Sequence, residues 1–404
     1  MRDKKCPGTA RPFFLGPMMS TTATEPTSVV PLVRWFISSA TMTVPQAAGP
    51  VAFALVALML TGETSGGAAM ILAMTLAQVA SAIPITRAGR WFAPTSFLRW
   101  LVVFRTLALS AVALLAHLGA PMIFLVVASA FAGAVNGAAA GYLRTVLNEL
   151  APASKLPRAL GIAATLNETT FVLAPVAVSG LGTISPVFAV LAVAILGAIP
   201  ALLIPTVGSS VSPDDVHTAD ASIISPSILL WLMCAAAGGA TVASLEIGAV
   251  ALALHFGYAP ALAILFTVPL CIASVLGGIW VSVRNRMASR RAVVIQLAIM
   301  AFGAILAALQ ISMEVTVAAA VLVGTVLAPL GTYYSLVLDS LAPPRKRPEV
   351  FALLRTANAV GVIVVSAVMT AFSLSTSLIV VSCLMVAVVI VVGLSSRRSA
   401  LPSR

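Results

Sequence analysis

Charge is scarce in this sequence. Asp, Glu, Lys and Arg together make up 9% of 404 residues, while 60% are hydrophobic. A soluble domain carries roughly 25% charged residues, and the mean hydropathy of +1.09 excludes water as the main solvent of this chain. Histidine and cysteine are rarer still, at three and four. Cys234, Cys271 and Cys383 fall inside apolar runs and Cys6 lies near the N-terminus. That spacing offers neither a disulfide framework nor a metal site. His117, His217 and His255 fall at or near helix ends or in a central polar stretch, which excludes an obvious zinc or haem cluster. The G-x-x-x-x-G-K-[ST], H-E-x-x-H and G-x-S-x-G patterns are missing too. An enzyme, a cofactor and an ATP-driven pump are therefore not expected, and an ion gradient or plain facilitation remains as the energy source.

What the chain has in abundance is long apolar runs. A hydrocarbon core about 30 Å thick takes roughly 20 apolar residues per helix. Twelve such spans are predicted, near 31–61, 66–85, 97–117, 121–143, 158–180, 186–206, 227–253, 260–282, 292–311, 315–338, 349–373 and 375–395. Gly, Pro, Ser and charge punctuate them, as in Thr61-Gly62-Glu63-Thr64-Ser65-Gly66 and Ala342-Pro343-Pro344-Arg345-Lys346-Arg347. The fold class expected is an all-α polytopic membrane protein with short loops. Residues 1–30, polar and Pro/Thr-rich, lack the order of a cleaved signal peptide and are read as a disordered cytoplasmic tail. Met18 and Met19 precede Ser20-Thr21-Thr22 and offer an alternative start.

The placement of positive charge gives an independent reading. With both termini inside, all 23 Lys and Arg residues fall on the inner side, and the outer loops hold none. Cytoplasmic loops carry this excess in membrane proteins. Trp35, Trp91, Trp100, Trp231 and Trp280 are predicted near inner helix ends, where amphipathic rings anchor. The net charge of +11 then reflects this bias and attraction to anionic headgroups. It is dealt out in small groups between spans, not gathered on a soluble face, so nucleic acid is not an expected partner.

An internal repeat organises the spans. Shifted by 191 positions, residues 142–167 meet 333–358 with ten identities in 26 positions and no gap. Tyr142 meets Tyr333, Leu150-Ala151-Pro152 meets Leu341-Ala342-Pro343, Lys155 meets Lys346, Pro157 meets Pro348, and Thr165 and Asn167 meet Thr356 and Asn358. The offset equals six helices. An even number preserves orientation, so the repeats are parallel and related by an axis along the membrane normal. Two six-helix bundles, 31–206 and 227–395, are expected, joined by a cytoplasmic linker at 207–226 and followed by a tail at 396–404.

With twelve spans, a six-plus-six parallel repeat and basic loops after the second and eighth spans, the chain resembles the major facilitator superfamily over roughly residues 30–396. The family's G-x-x-x-D-R-x-G-R loop is matched by Arg87, Gly89 and Arg90, with Thr86 at the acidic position and Ala82 at the first glycine. The antiporter pattern G-x-x-x-G-P-x-x-G-G is echoed by Ala174-Pro175 and Ser179, which hints at a drug/proton antiporter branch. The arginine often found in the fourth helix is replaced by Ser129. The resemblance implies alternating access by rocking of two halves, with substrate at the midplane, and Arg87, Gly89 and Arg90 as gating-loop residues.

Polar residues inside spans are costly, an acid at mid-bilayer by about 2.5–3.5 kcal/mol on insertion scales. Glu168 lies ten residues into its predicted span, about 15 Å deep at 1.5 Å per residue. It sits among Thr165, Asn167, Thr169 and Thr170. Its carboxyl is either a proton-coupling or substrate-binding group, or a protonated contact to a neighbouring helix. Glu246 and Asp339 are further proton-coupling candidates, Asp339 being equally readable as a gate charge near Arg345 and Arg347. Gln46, Asn136, Asn167, Tyr333 and Asn358 are substrate-cavity candidates, with Gln46, Asn136 and Asn358 equally readable as interhelical glue of about 0.6 kcal/mol each. Tyr142, Tyr333 and Tyr334 read as interface anchors, and Arg105 as a side chain that snorkels to the inner surface.

The sequence thus predicts a secondary active transporter in the inner or plasma membrane, multi-pass, monomeric, partnered by the bilayer, a small-molecule substrate and protons. Scarce fixed charge favours proton-coupled efflux of a lipophilic or weakly polar compound. The alternatives are an importer or facilitator of a small polar solute, and a non-transporting membrane partner or sensor on the same fold.

Overall fold

The computed structural model describes residues 29–63, 65–207 and 225–398. Most of the tail at 1–30 and of the linker at 207–226 lies outside these residues, as do Cys6, Met18, Met19 and His217. The described residues contain twelve helices long and apolar enough to cross a membrane. With no water in hydrocarbon, each span must satisfy its own backbone, which a helix does. In the first half they are α1 (Val29–Thr61), α2 (Ser65–Ala88), α3 (Pro94–His117), α4 (Met122–Ala134) with α5 (Asn136–Leu150), α6 (Leu156–Ile184) and α7 (Pro186–Leu203). In the second they are α8 (Pro226–His255), α9 (Ile264–Arg284), α10 (Arg290–Leu309), α11 (Met313–Leu341), α12 (Arg347–Ala371) and α13 (Leu374–Arg398).

Local sequence explains the helix ends. Pro94, Pro186 and Pro226 open α3, α7 and α8 at positions whose N–H needs no partner. Ser225, Ser289 and Ser312 cap α8, α10 and α11 by accepting from the amides of Ile228, Ala292 and Val315. Asn285 and Gln310 end α9 and α10 in the left-handed region, at φ 44° and 47°. The fourth span runs further than predicted and breaks at Val135 into α4 and α5, the second piece carrying polar residues down to Leu150.

Both halves are assembled by the same pairings, displaced by six spans. In the first, α1 packs on α6 and α7, α2 on the fourth span, and α3 on the fourth span and α7. In the second, α8 packs on α12 and α13, α9 on α11, and α10 on α11 and α13. This is the parallel repeat in three dimensions. Each half has its own core, with Phe53, Leu109 and Leu125 in one and Leu252, Phe266 and Leu297 in the other. The outer face of the bundle is apolar instead of polar: Leu202, Val283, Phe372 and Ile184 are among its most exposed side chains. That surface suits lipid and not water.

Several anchor expectations are overturned by burial. Trp35 and Trp231 are buried, and Trp35 Nε1 donates to the Leu143 carbonyl at 2.9 Å. Only Trp91, Trp100 and Trp280 present open faces. Tyr142, Tyr333 and Tyr334 are buried as well, because the helices close over the ends of α5 and α11. Arg105 does not snorkel. It is 2% exposed, with Nη1 donating to the Met42 carbonyl at 3.0 Å and to Asn136 Oδ1 at 3.4 Å, and Nη2 to the Gly197 carbonyl at 2.9 Å. It staples α1, α3, α5 and α7 together, since a buried cation must find acceptors.

Candidate functional site

The two halves meet through α6 on α9, α12 on α5 and α2, and α11 on α6. One end of this seam is closed, and it is the end carrying the Lys and Arg of the connections, hereafter the basic end. Arg87 at the end of α2 pairs with Glu349 at the start of α12, Nε to Oε2 at 3.1 Å. At the partner position, Asn285 after α9 accepts from the Arg158 amide at 3.0 Å and donates to the Ser154 carbonyl at 2.9 Å. Between these clasps Arg144 Nε donates to Ser335 Oγ at 2.8 Å, and Arg144 also donates to Asn148, which donates to Asp339. Asp339 pairs with Arg347 at 3.3 Å, and the Arg144 guanidinium lies over the Phe351 ring at 4.8 Å.

Backbones touch at the same level. A Cβ on Gly141 would collide with the Pro348 carbonyl. One on Gly161 would lie 2.6 Å from the Ser282 amide nitrogen, and one on Gly278 would strike the Thr165 hydroxyl. Beyond Thr165 and Gly278, nothing lies within 4 Å of the Cβ position of Gly180 further along α6. The seam is sealed at the basic end and unlinked towards the opposite one.

Glu168 stands three residues past Thr165 on α6, just beyond the sealed level. Ser274 on α9 stands four residues from Gly278 on the same side, and its buried hydroxyl has no hydrogen-bond partner. The Glu168 carboxyl approaches that hydroxyl. Glu246 on α8 comes within electrostatic reach of Glu168, and Cys271 on α9 within reach of both. Two carboxyls, one on α6 of the first half and one on an exposed position of α8 in the second, are therefore electrostatic neighbours. Among the described residues neither forms an ion pair.

Other candidates separate into groups. Asn167 and Asn358 are half-buried, Asn358 against Gly239 of α8. Gln46 Nε2 donates to Gln78 Oε1 at 2.8 Å, joining α1 to α2. Asn136 is committed to Arg105, and Tyr333 lies at the basic end beside Trp231, so neither faces Glu168 as a cavity wall. Asp339 belongs to the basic-end seam, paired with Arg347 and not Arg345. Arg87 is in that seam too. Gly89 is wedged against Phe97 and the Tyr142 hydroxyl, while Arg90 stacks over Trp91 at 4.7 Å. Sequence reasoning missed Glu349, Arg144, Asn148, Ser335 and Ser274. A signal existed for two pairs, since 144 and 335, like 148 and 339, are related by the 191-residue offset.

A family model described as the Major Facilitator Superfamily matches residues 35–366. No curated protein matches by sequence. Among solved structures, a bacterial homologue of the iron transporter ferroportin in an outward-facing state superposes with a TM-score of 0.74 at 12% identity, covering 90% of this chain and 98% of its own. The E. coli fucose:proton symporter superposes at 0.72 with 12% identity, over 91% and 98%. A human organic anion transporter does so at 0.67 with 13% identity, over 91% and 98%. An iron transporter homologue, a sugar symporter and an anion transporter share little but architecture, so this likeness carries the fold and not the cargo.

Proposed function

From the premise that this chain belongs to the major facilitator superfamily and is a secondary transporter, we propose that it is a proton-coupled exporter of a lipophilic, weakly polar compound. The observation that carries this reading is Glu168, a carboxyl on α6 three residues past the Thr165–Gly278 contact that seals the seam, with Glu246 of the other half within electrostatic reach. A carboxylate held among apolar helices without a cation is costly as an anion. Rocking that opens the seam at one end and then the other alternately wets and dries the pair, so each cycle exchanges a proton. Thr165 and Asn167 on α6, and Thr356 and Asn358 on α12 with Arg355 beside them, stand near this level, and their hydroxyls and amides suit a weakly polar compound. The antiporter-like Ala174-Pro175 and Ser179 on α6 favour the same direction. Glu168 is the proton site, and Asn167 and Asn358 flank the substrate.

The basic end faces the cytoplasm of a cell-membrane monomer, with both termini inside and linker 207–226 joining bundles 31–206 and 227–395. The positive-inside distribution supports this orientation. Glu168→Gln preserves size and hydrogen bonding but cannot release a proton. In proteoliposomes with an imposed pH gradient, Glu168→Gln should lose gradient-driven transport and its pH dependence, while still equilibrating substrate. Wild-type accumulation against a gradient by this variant would make Glu168 structural. Substrate movement in the same direction as the protons would replace export with symport.

A further inference from the structure

A second site lies away from the carboxyl pair, at the basic end of the second half. There α9, the α9–α10 connection, the start of α10 and the lower part of α11 enclose a cavity of about 220 Å³. That is far more than the ~10–15 Å³ one water needs. We propose that it holds the headgroup of an anionic phospholipid bearing a free hydroxyl, of the phosphatidylglycerol type.

Four features specify that chemistry. Arg284 and Arg286 line the cavity, and among the described residues neither forms an ion pair, so two guanidinium groups are available to a phosphate. The Thr332 hydroxyl on its wall has no hydrogen-bond partner although the residue is only 7% exposed. Gln296 Oε1, also on the wall, is a buried acceptor without a donor. Buried polar atoms in folded proteins are nearly always paired. A phosphodiester alone supplies only acceptors, whereas a glycerol headgroup adds hydroxyls that can donate to Gln296 and bond Thr332 while its phosphate meets the arginines.

The rim specifies the source. Trp280 and Met287 line the cavity and are also exposed, and the Arg284 guanidinium sits over the Trp280 ring at 5.1 Å. Val283 beside them is among the most exposed apolar residues. An apolar, aromatic lip at the end of two spans is where acyl chains leave a headgroup. Basic pockets between spans at the cytoplasmic side are suited to anionic headgroups.

The test uses purified full-length protein in a neutral detergent, with lipid adducts read by native mass spectrometry and Tm read alongside. Added phosphatidylglycerol should give a retained adduct and raise Tm, and phosphatidylcholine should do neither. Arg284→Gln/Arg286→Gln should weaken phosphatidylglycerol retention roughly 25-fold, since each basic side chain near an anionic lipid contributes about a fivefold factor. Should that variant fail to fold, Ala288→Phe fills the cavity from another wall and should abolish the adduct. Equal retention of both lipids, or undiminished retention by the folded variants, overturns the proposal. Displacement of the lipid by an equal concentration of glycerol 3-phosphate would assign the cavity to a soluble phosphate and overturn the lipid assignment.

Discussion

Tyr142 and Tyr333 are repeat mates at matching helix ends, yet one sits in a filled corner and the other on the wall of a cavity. In the first half the Tyr142 hydroxyl donates to the Thr86 carbonyl at 2.9 Å, and Phe97 packs edge-on against its ring at 5.0 Å. Gly89 fits into the remaining space. In the second half the α9–α10 connection is fastened elsewhere: Asn285 turns out of α9 at φ 44° and bonds across the seam to Arg158 and Ser154. No aromatic from that connection covers Tyr333, and Ala288 and Ser289 line the gap. Repeated sequence thus reproduces the helix ends, while the connecting loops decide what those ends enclose.

The comparison can be broken most strongly at Gly89. Gly89→Leu forces a side chain into Phe97 and Tyr142, and overpacking typically costs about 1–3 kcal/mol. A lowered Tm or loss of folded protein on size-exclusion chromatography is expected. Ala288→Phe in the open corner should leave Tm unchanged or raised. Equal losses from both would mean that the corners do not differ.

A finer contrast lies between the two clasps. Glu349 and Arg158 are repeat mates, but Glu349 closes its side of the seam with an ion pair to Arg87, and Arg158 closes the other through its backbone amide. Arg87 is 57% exposed on its side chain, so the ion pair contributes little more than an exposed one, about 1 kcal/mol or less. Spin labels at Lys155 and Arg345 should report up to roughly fivefold more of the separated population in Glu349→Gln. Raising the salt concentration should move wild type the same way. Asn285→Ala should loosen the other clasp with no added salt dependence; identical salt responses in both variants would erase the distinction.

The smallest effect separates the tyrosines themselves. Tyr142→Phe leaves the Thr86 carbonyl unpaired and should cost about 1 kcal/mol. Tyr333→Phe breaks no hydrogen bond among the described residues and should change Tm much less. Thermal melts of the two single variants decide it.

The large-scale fold was legible because hydrocarbon imposes it: apolar runs must be helices, and their number, spacing and basic connections can be read directly. The repeat was legible in Leu150-Ala151-Pro152 and Leu341-Ala342-Pro343 because turn chemistry tolerates few substitutions. Partnerships among polar residues were not. Glu168 and Glu246 stood out as isolated acids, but 78 positions part them, and no local pattern announces that they come within electrostatic reach of each other. Arg105 looked free to reach the surface, since nothing near it in sequence reveals acceptors on α1, α5 and α7. Glu349 lies beside a basic loop where no local pattern marks it out, although it is only 8% exposed.

Arg144 meeting Ser335, and Asn148 meeting Asp339, each join a residue to its own counterpart one repeat away. A residue on a two-fold axis is confronted by its own image. In a symmetric pair of separate identical chains, an arginine there would confront an arginine and an aspartate an aspartate, a like-charge clash with no acceptor in reach. Covalent fusion releases that constraint, because each copy then changes alone. The donor-to-acceptor order along this axis, guanidinium to hydroxyl and amide to carboxylate, is open only to a duplicated chain whose copies have diverged. Replacing Ser335 by arginine or Asp339 by asparagine would therefore impose symmetry at the expense of the seam.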